Sequence, residues 1–214
     1  FVVFGLTLAA QAKVPPEQAK RLSEDLTPLG SERGANADGS IPAWTGGLSS
    51  PPEGIGYVKG EHLPDPFAAD KPLFRVTGAN TNKYDEFITR GQKALLERHD
   101  TYFLDVYPSR RSCANPEHVY KAAQKNALVG ELVADGNGVA EAIMASPFPI
   151  PNNGLEIVWN HTLRYRSHKL QREFTAIPVN QSGDYYQITV HDDAIFNWSD
   201  PQMGRAEDLD NVSI

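Results

Sequence analysis

The chain has 214 residues and a net charge of −7, with an isoelectric point near 5.3. That balance argues against a nucleic-acid binder, which ordinarily presents a basic face. Cys113 is the sole cysteine, so an internal disulfide and a multi-thiolate metal site are both excluded.

Phe1 to Ala10 is apolar and carries no charge, and Ala10-Gln11-Ala12 has the small-x-small pattern that signal peptidase cleaves. These residues are expected to be the end of a secretory signal, which places the mature protein in the periplasm with Lys13 as its first residue. No cysteine lies near Ala12, so no lipid anchor is expected there. The run is also too short to span a bilayer, which takes ~20 residues. Residues 1–12 are therefore assigned to the signal, 13–80 to a helix and an extended arm, and 81–214 to the first part of an α+β domain.

Pro15-Pro16-Glu17 opens a helix, with Ala19, Leu22 and Leu26 at helical spacing before Pro28 and Gly30. From Pro28 to Pro72, fifteen of forty-five residues are Pro or Gly. No helical or strand period survives that density, so an extended, turn-rich arm is expected. Trp44, Tyr57 and Phe67 suggest that it straps onto a surface.

Asn82 is read as the cap of a helix with Tyr84, Phe87, Ile88, Gly91 and Leu95 on its inner face. Asn115-Pro116-Glu117 announces a second, running to about Leu128 before Gly130. Asp135-Gly136-Asn137-Gly138 marks a hairpin between strands over 128–134 and 139–145. A third helix follows Gly154, its stripe of Leu155, Val158, Trp159, Thr162 and Leu163 expected to bury against the sheet of the flanking strands. Strands are expected over 169–179, with Leu170, Phe174 and Ala176 on one side, and over 185–196, with Tyr186, Ile188 and Val190 on one side. Asn211 to Ile214 reads as the opening of another strand, which predicts further chain downstream. The class is α+β, with antiparallel strands.

Catalytic signatures are missing: there is no Gly-x-Ser-x-Gly, no phosphate loop and no His-Glu-x-x-His. His191-Asp192-Asp193 alternates across a strand and does not converge on one ion. His161 and His168 are seven apart, beyond the spacing at which helix neighbours meet. Arg110 and Arg111 have two readings, anion or headgroup contacts and ordinary solvated cations. So does the group Arg164, Arg166, His168, Lys169 and Arg172, which can also serve as a helix end whose cations complement the dipole. The aromatic residues suit a core, and a half-open sheet lined by them would make an apolar pocket.

Several stretches carry a resemblance. Asn36-Ala37-Asp38-Gly39-Ser40-Ile41-Pro42-Ala43-Trp44-Thr45-Gly46-Gly47-Leu48 resembles the entry motif of a proteobacterial periplasmic family, domain of unknown function 1329. Residues 106–111, 147–151 with 153–156, 159–166 and 207–213 are similar to its later blocks. The resemblance covers the mature chain and implies the N-terminal half of a longer protein. It implies a fold like the LolA/LolB lipoprotein carriers, a curved half-barrel sheet with helices on its concave side. It further implies a periplasmic partner of outer-membrane proteins or an export transporter, with no catalytic residues to carry over.

The resulting expectation is a non-catalytic carrier of a lipid or other hydrophobic molecule, without cofactor or metal. Its cavity would be lined by Trp159, Leu163, Phe174 and Tyr186, with Arg110, Arg111, Arg164 and Arg166 at the headgroup. An envelope scaffold without ligand is the alternative.

Overall fold

The computed structural model describes residues 14–58 and 61–204. The signal segment expected at 1–12 and the strand expected at 211–214 lie outside the described residues. The chain forms two compact units, one of residues 34–114 and one of 1–33 with 115–214.

In the unit of residues 34–114, the arm is as irregular as its Pro and Gly content predicts: its described residues from 34 to 73 contain no helix or strand. Strands β1 (Phe74–Val76) and β2 (Leu104–Val106) pair antiparallel, with Phe74 opposite Val106. Arg75 and Asp105 form a two-pronged ion pair across them at 2.6 and 2.7 Å. The guanidinium also covers the Phe103 ring at 3.7 Å.

Helix α2 spans Arg90–Arg98, later than the start expected at Asn82. The intervening Thr81–Tyr84 is a single 3-10 turn. The real start signal is a capping box. Gln92 N–H donates to the Thr89 hydroxyl and Thr89 N–H donates to the Gln92 side chain. Phe87 therefore lies before the helix and is exposed, and within the helix Leu96 is buried while Leu95 stays exposed.

In the other unit, α1 (Pro16–Lys20) continues into a 3-10 turn at Arg21–Ser23, shorter than the helix expected to Leu29. Helix α3 (Glu117–Val129) matches its expected limits and ends at Gly130. Its buried residues Val119, Ala123, Asn126 and Ala127 recur at i, i+4, i+7 and i+8, one face of a helix. One end of that face packs with Ile143, Met144 and Ala145, and Ala127 packs with Val14, Leu22 and Leu26.

The hairpin at Asp135–Gly138 forms, but its strands β3 (Glu131–Val133) and β4 (Gly138–Ala140) are three residues each. Beyond β4 the chain turns inward through Glu141 and Met144, both at positive φ. Residues 142–145 thereby become core rather than strand. Buried Asn126 holds them in place: its amide donates to the carbonyl of Ile143 at 2.9 Å and accepts from the Ile143 N–H at 3.2 Å.

Helix α4 (Gly154–Thr162) is followed by strands β5 (Lys169–Ala176) and β6 (Ile188–Ile195), paired antiparallel with Lys169 opposite Ile195 and Ala176 opposite Ile188. A bridge between Val179 and Tyr185 continues the register to the turn. The described strands thus make three separate two-stranded antiparallel sheets, none closed into a barrel.

Candidate functional site

The long hairpin is two-faced because paired residues in an antiparallel ladder share a face. Leu170 with Ala194, Phe174 with Val190 and Ala176 with Ile188 lie on one face. In the same register Tyr186, two residues before Ile188, extends that face. The other face carries Lys169, Gln171, Glu173 and Thr175 opposite Ile195, Asp193, His191 and Thr189.

A polar-out, apolar-in hairpin ordinarily buries its apolar face. Here Phe174 is 42% and Tyr186 62% exposed. One ion pair interrupts the apolar face, Arg172 to Asp192 at 2.6 Å, with the guanidinium 5.1 Å from the Phe174 ring centre. Phe174 and Tyr186, both expected in a cavity, are therefore brought together on one open face.

Trp159 on α4 and Leu163 just after it belong to neither strand of that hairpin. The expected burial of the Leu155–Leu163 stripe is corrected by the burial itself. Leu155 is 51% and Val158 60% exposed, whereas Glu156 is 1% exposed. The reason is a set of polar anchors on the opposite side. The Glu156 carboxylate accepts from Asn152 N–H at 2.6 Å and from the Asn153 side chain at 3.0 Å. Asn160 accepts from Phe148 N–H and donates to the Phe148 carbonyl. Trp159 is half-buried, and its indole N–H donates to the Gly136 carbonyl at 2.9 Å. It fastens α4 to the β3–β4 turn.

The four arginines proposed for a headgroup all have internal work. Arg164 and Arg166 donate to the carbonyls of His161 and Thr162, closing the C-terminal end of α4. Arg111 donates to the carbonyls of Gly34 and Pro42. Arg110 clasps Asp70 and covers the Phe67 ring. For Arg110 and Arg111 the partners lie 40 to 77 residues away, whereas those of Arg164 and Arg166 are three and four residues away.

The Trp-Thr-Gly-Gly motif is a strap. Trp44 donates from its indole N–H to the Cys113 carbonyl at 3.3 Å, and Leu48 N–H donates to the Ser112 carbonyl at 2.8 Å. Gly47 sits at φ +75°, and a Cβ there would stand 2.3 Å from the Cys113 carbonyl oxygen. Glycine is required on both counts.

No group of His, Cys, Asp and Glu side chains among the described residues could hold a metal ion. Among the same residues no helix is long and apolar enough to cross a membrane. His191 faces Glu173 at 3.1 Å, and His168 faces Asp200 at 3.6 Å.

These features define a mixed helix-and-strand protein built on small antiparallel sheets, the longest of which keeps an apolar face open. Residues 75–214 match the family described as Protein of unknown function (DUF1329), and the chain belongs to that family. Over 195 residues it is 42% identical to Uncharacterized protein PA3922 of Pseudomonas aeruginosa, a match that covers 89% of this chain and 42% of that protein. The chain thus spans less than half the length of the curated relative it matches. No solved structure matches it.

Proposed function

We propose that the protein is a non-catalytic periplasmic carrier that holds a lipid or another hydrophobic molecule against the apolar face of β5–β6. In this reading the hairpin is one portion of a curved half-barrel sheet like that of the LolA/LolB carriers, and outer-membrane proteins or an export transporter exchange the cargo. The observation that carries it is the face on which exposed Phe174, Tyr186 and Ile188 align with half-buried Leu170 and Val190. An apolar surface with few polar groups suits an acyl chain better than a polar substrate.

Displacement of a fluorescent fatty acid tests the reading. Phe174→Ser and Tyr186→Ser should each weaken binding about three- to tenfold, the scale of one lost aromatic contact. Their melting temperatures should stay within a few degrees of the parent, since both side chains are exposed. Unchanged affinity in both variants would overturn the site. Absence of saturable binding, together with no lipid extracted from the purified protein, would favour an envelope scaffold instead.

A further inference from the structure

The arm forms a second concave surface, independent of the hairpin. A groove of about 340 Å³ lies between the turn at residues 65–70 and the segment that leaves β2, with Asp65, Phe67, Asp70, Tyr107, Pro108 and Arg110 on its walls. The turn is locally determined. Asp65 accepts from Phe67 N–H at 2.8 Å, and Asp70 N–H donates to the Phe67 carbonyl at 2.8 Å.

Arg110 ties the two walls together. Its Nε and a terminal nitrogen donate to one Asp70 oxygen at 2.9 and 2.6 Å, and its guanidinium lies 4.4 Å from the Phe67 ring centre. The positive charge is therefore already matched by Asp70. The second carboxylate, Asp65, has no ion-pair partner among the described residues, and its other oxygen has no hydrogen bond there. Among the described residues the groove is left with one uncompensated negative charge, beside an exposed Tyr107 ring and Pro108.

We propose that this groove binds an alkylammonium group, either a small organic amine or a lysine side chain on a peptide. A carboxylate accepts from the ammonium, an electron-rich ring face attracts its charge, and apolar walls receive its methylenes. An anionic ligand fits worse. It would meet Asp65 directly and would have to displace Asp70 from a two-pronged pair to reach Arg110. The charge of the preferred ligand is opposite to the one that Arg110 suggests when read from sequence.

Cadaverine, a five-carbon diamine, and valerate, a five-carbon monoacid, separate the two signs when titrated into the full 214-residue chain and followed by NMR. Cadaverine should shift the ring signals of Phe67 and Tyr107 saturably, and added salt should weaken it. Valerate should shift neither. Asp65→Asn removes the charge but keeps the oxygen that accepts from Phe67 N–H, and should weaken cadaverine about tenfold. Tyr107→Leu should weaken it several-fold through the ring alone, so the site remains testable if Asp65→Asn is unstable. Equal or tighter valerate binding, no saturable cadaverine binding, or full affinity in a folded Asp65→Asn would each overturn the proposal. A lysine-containing pentapeptide binding where cadaverine does, and its norleucine counterpart not binding, would assign the natural ligand to peptide. Cadaverine binding without peptide binding would assign it to free amines.

Discussion

Asn126 shows how much one side chain can decide. It is buried on α3, and its amide serves the backbone of Ile143 in both directions while also reaching the carbonyls of Ala145 and Ser146. Removing it strands a buried N–H and several carbonyls, a loss of about 2–3 kcal/mol. Urea denaturation of Asn126→Ala should show that loss, and Asn126→Asp should also be destabilised because a carboxylate cannot donate to those carbonyls. Asp105 gives the pH dependence at the same scale. Its hydrogen bonds from Arg75 hold its carboxyl below the usual carboxylate range. A group whose folded pKa is depressed contributes stability above its unfolded value, about 3.9, and loses it as pH falls through the folded value. Amide protection in β1–β2 should therefore be flat from neutrality to about pH 4 and fall below it. In Asp105→Asn the fall attributable to this pair should vanish. Arg110 and Arg111 were visible in sequence as cations. Their partners were not, because Asp70, Gly34 and Pro42 lie 40 to 77 residues away.

At the scale of elements, legibility followed whether the signal was local. The limits of α3 and the turns of the β3–β4 and β5–β6 hairpins came from Pro, Gly and Asn, whose backbone preferences act within a few residues. The start of α2 is equally local, and the Thr89–Gln92 box sets it rather than Asn82. Which face of α4 turns inward was a different matter. Periodicity identifies an apolar stripe, and it does not say where the tertiary partners are. On α4 the partners are polar: the Asn152 and Asn153 donors for Glu156, and the Phe148 backbone for Asn160. The expected result of mutagenesis is thus inverted from the sequence reading. Val158→Gln should change stability by less than about 0.5 kcal/mol, as exposed positions do. Glu156→Ala should cost roughly 1–3 kcal/mol by leaving buried donors unmatched. Thermal melts of the two variants decide the matter, and a larger loss in Val158→Gln would restore the apolar stripe as the inner face. Gly47→Ala belongs here as well. Its Cβ would collide with the Cys113 carbonyl, so the strap should open and Trp44 fluorescence should shift toward that of a solvated indole.

For the molecule as a whole, the two compact units divide the chemistry. The open apolar face lies in the unit of residues 1–33 and 115–214, and the amine-binding groove in that of residues 34–114. The antiparallel pairing, the mixture of helix and strand and the family itself were all readable from sequence. A continuous curved sheet was not recovered, because the described strands pair only two by two. If the carrier reading holds, a bound acyl chain stabilises only the structure it touches. Ligand binding to the native state adds RT ln(1 + [L]/Kd), about 2.7 kcal/mol at a hundredfold excess over Kd. Hydrogen exchange in the presence of saturating laurate should therefore slow across residues 169–195. Residues 74–76 and 104–106 should exchange as before. Cadaverine should leave residues 169–195 unchanged and slow exchange around 65–70 and 107–110. Phe174→Ser should abolish most of the laurate effect and none of the cadaverine effect. Laurate protection spread evenly over both units would mean that the fatty acid acts as a detergent on exposed apolar surface, and the β5–β6 face would lose its standing as a site.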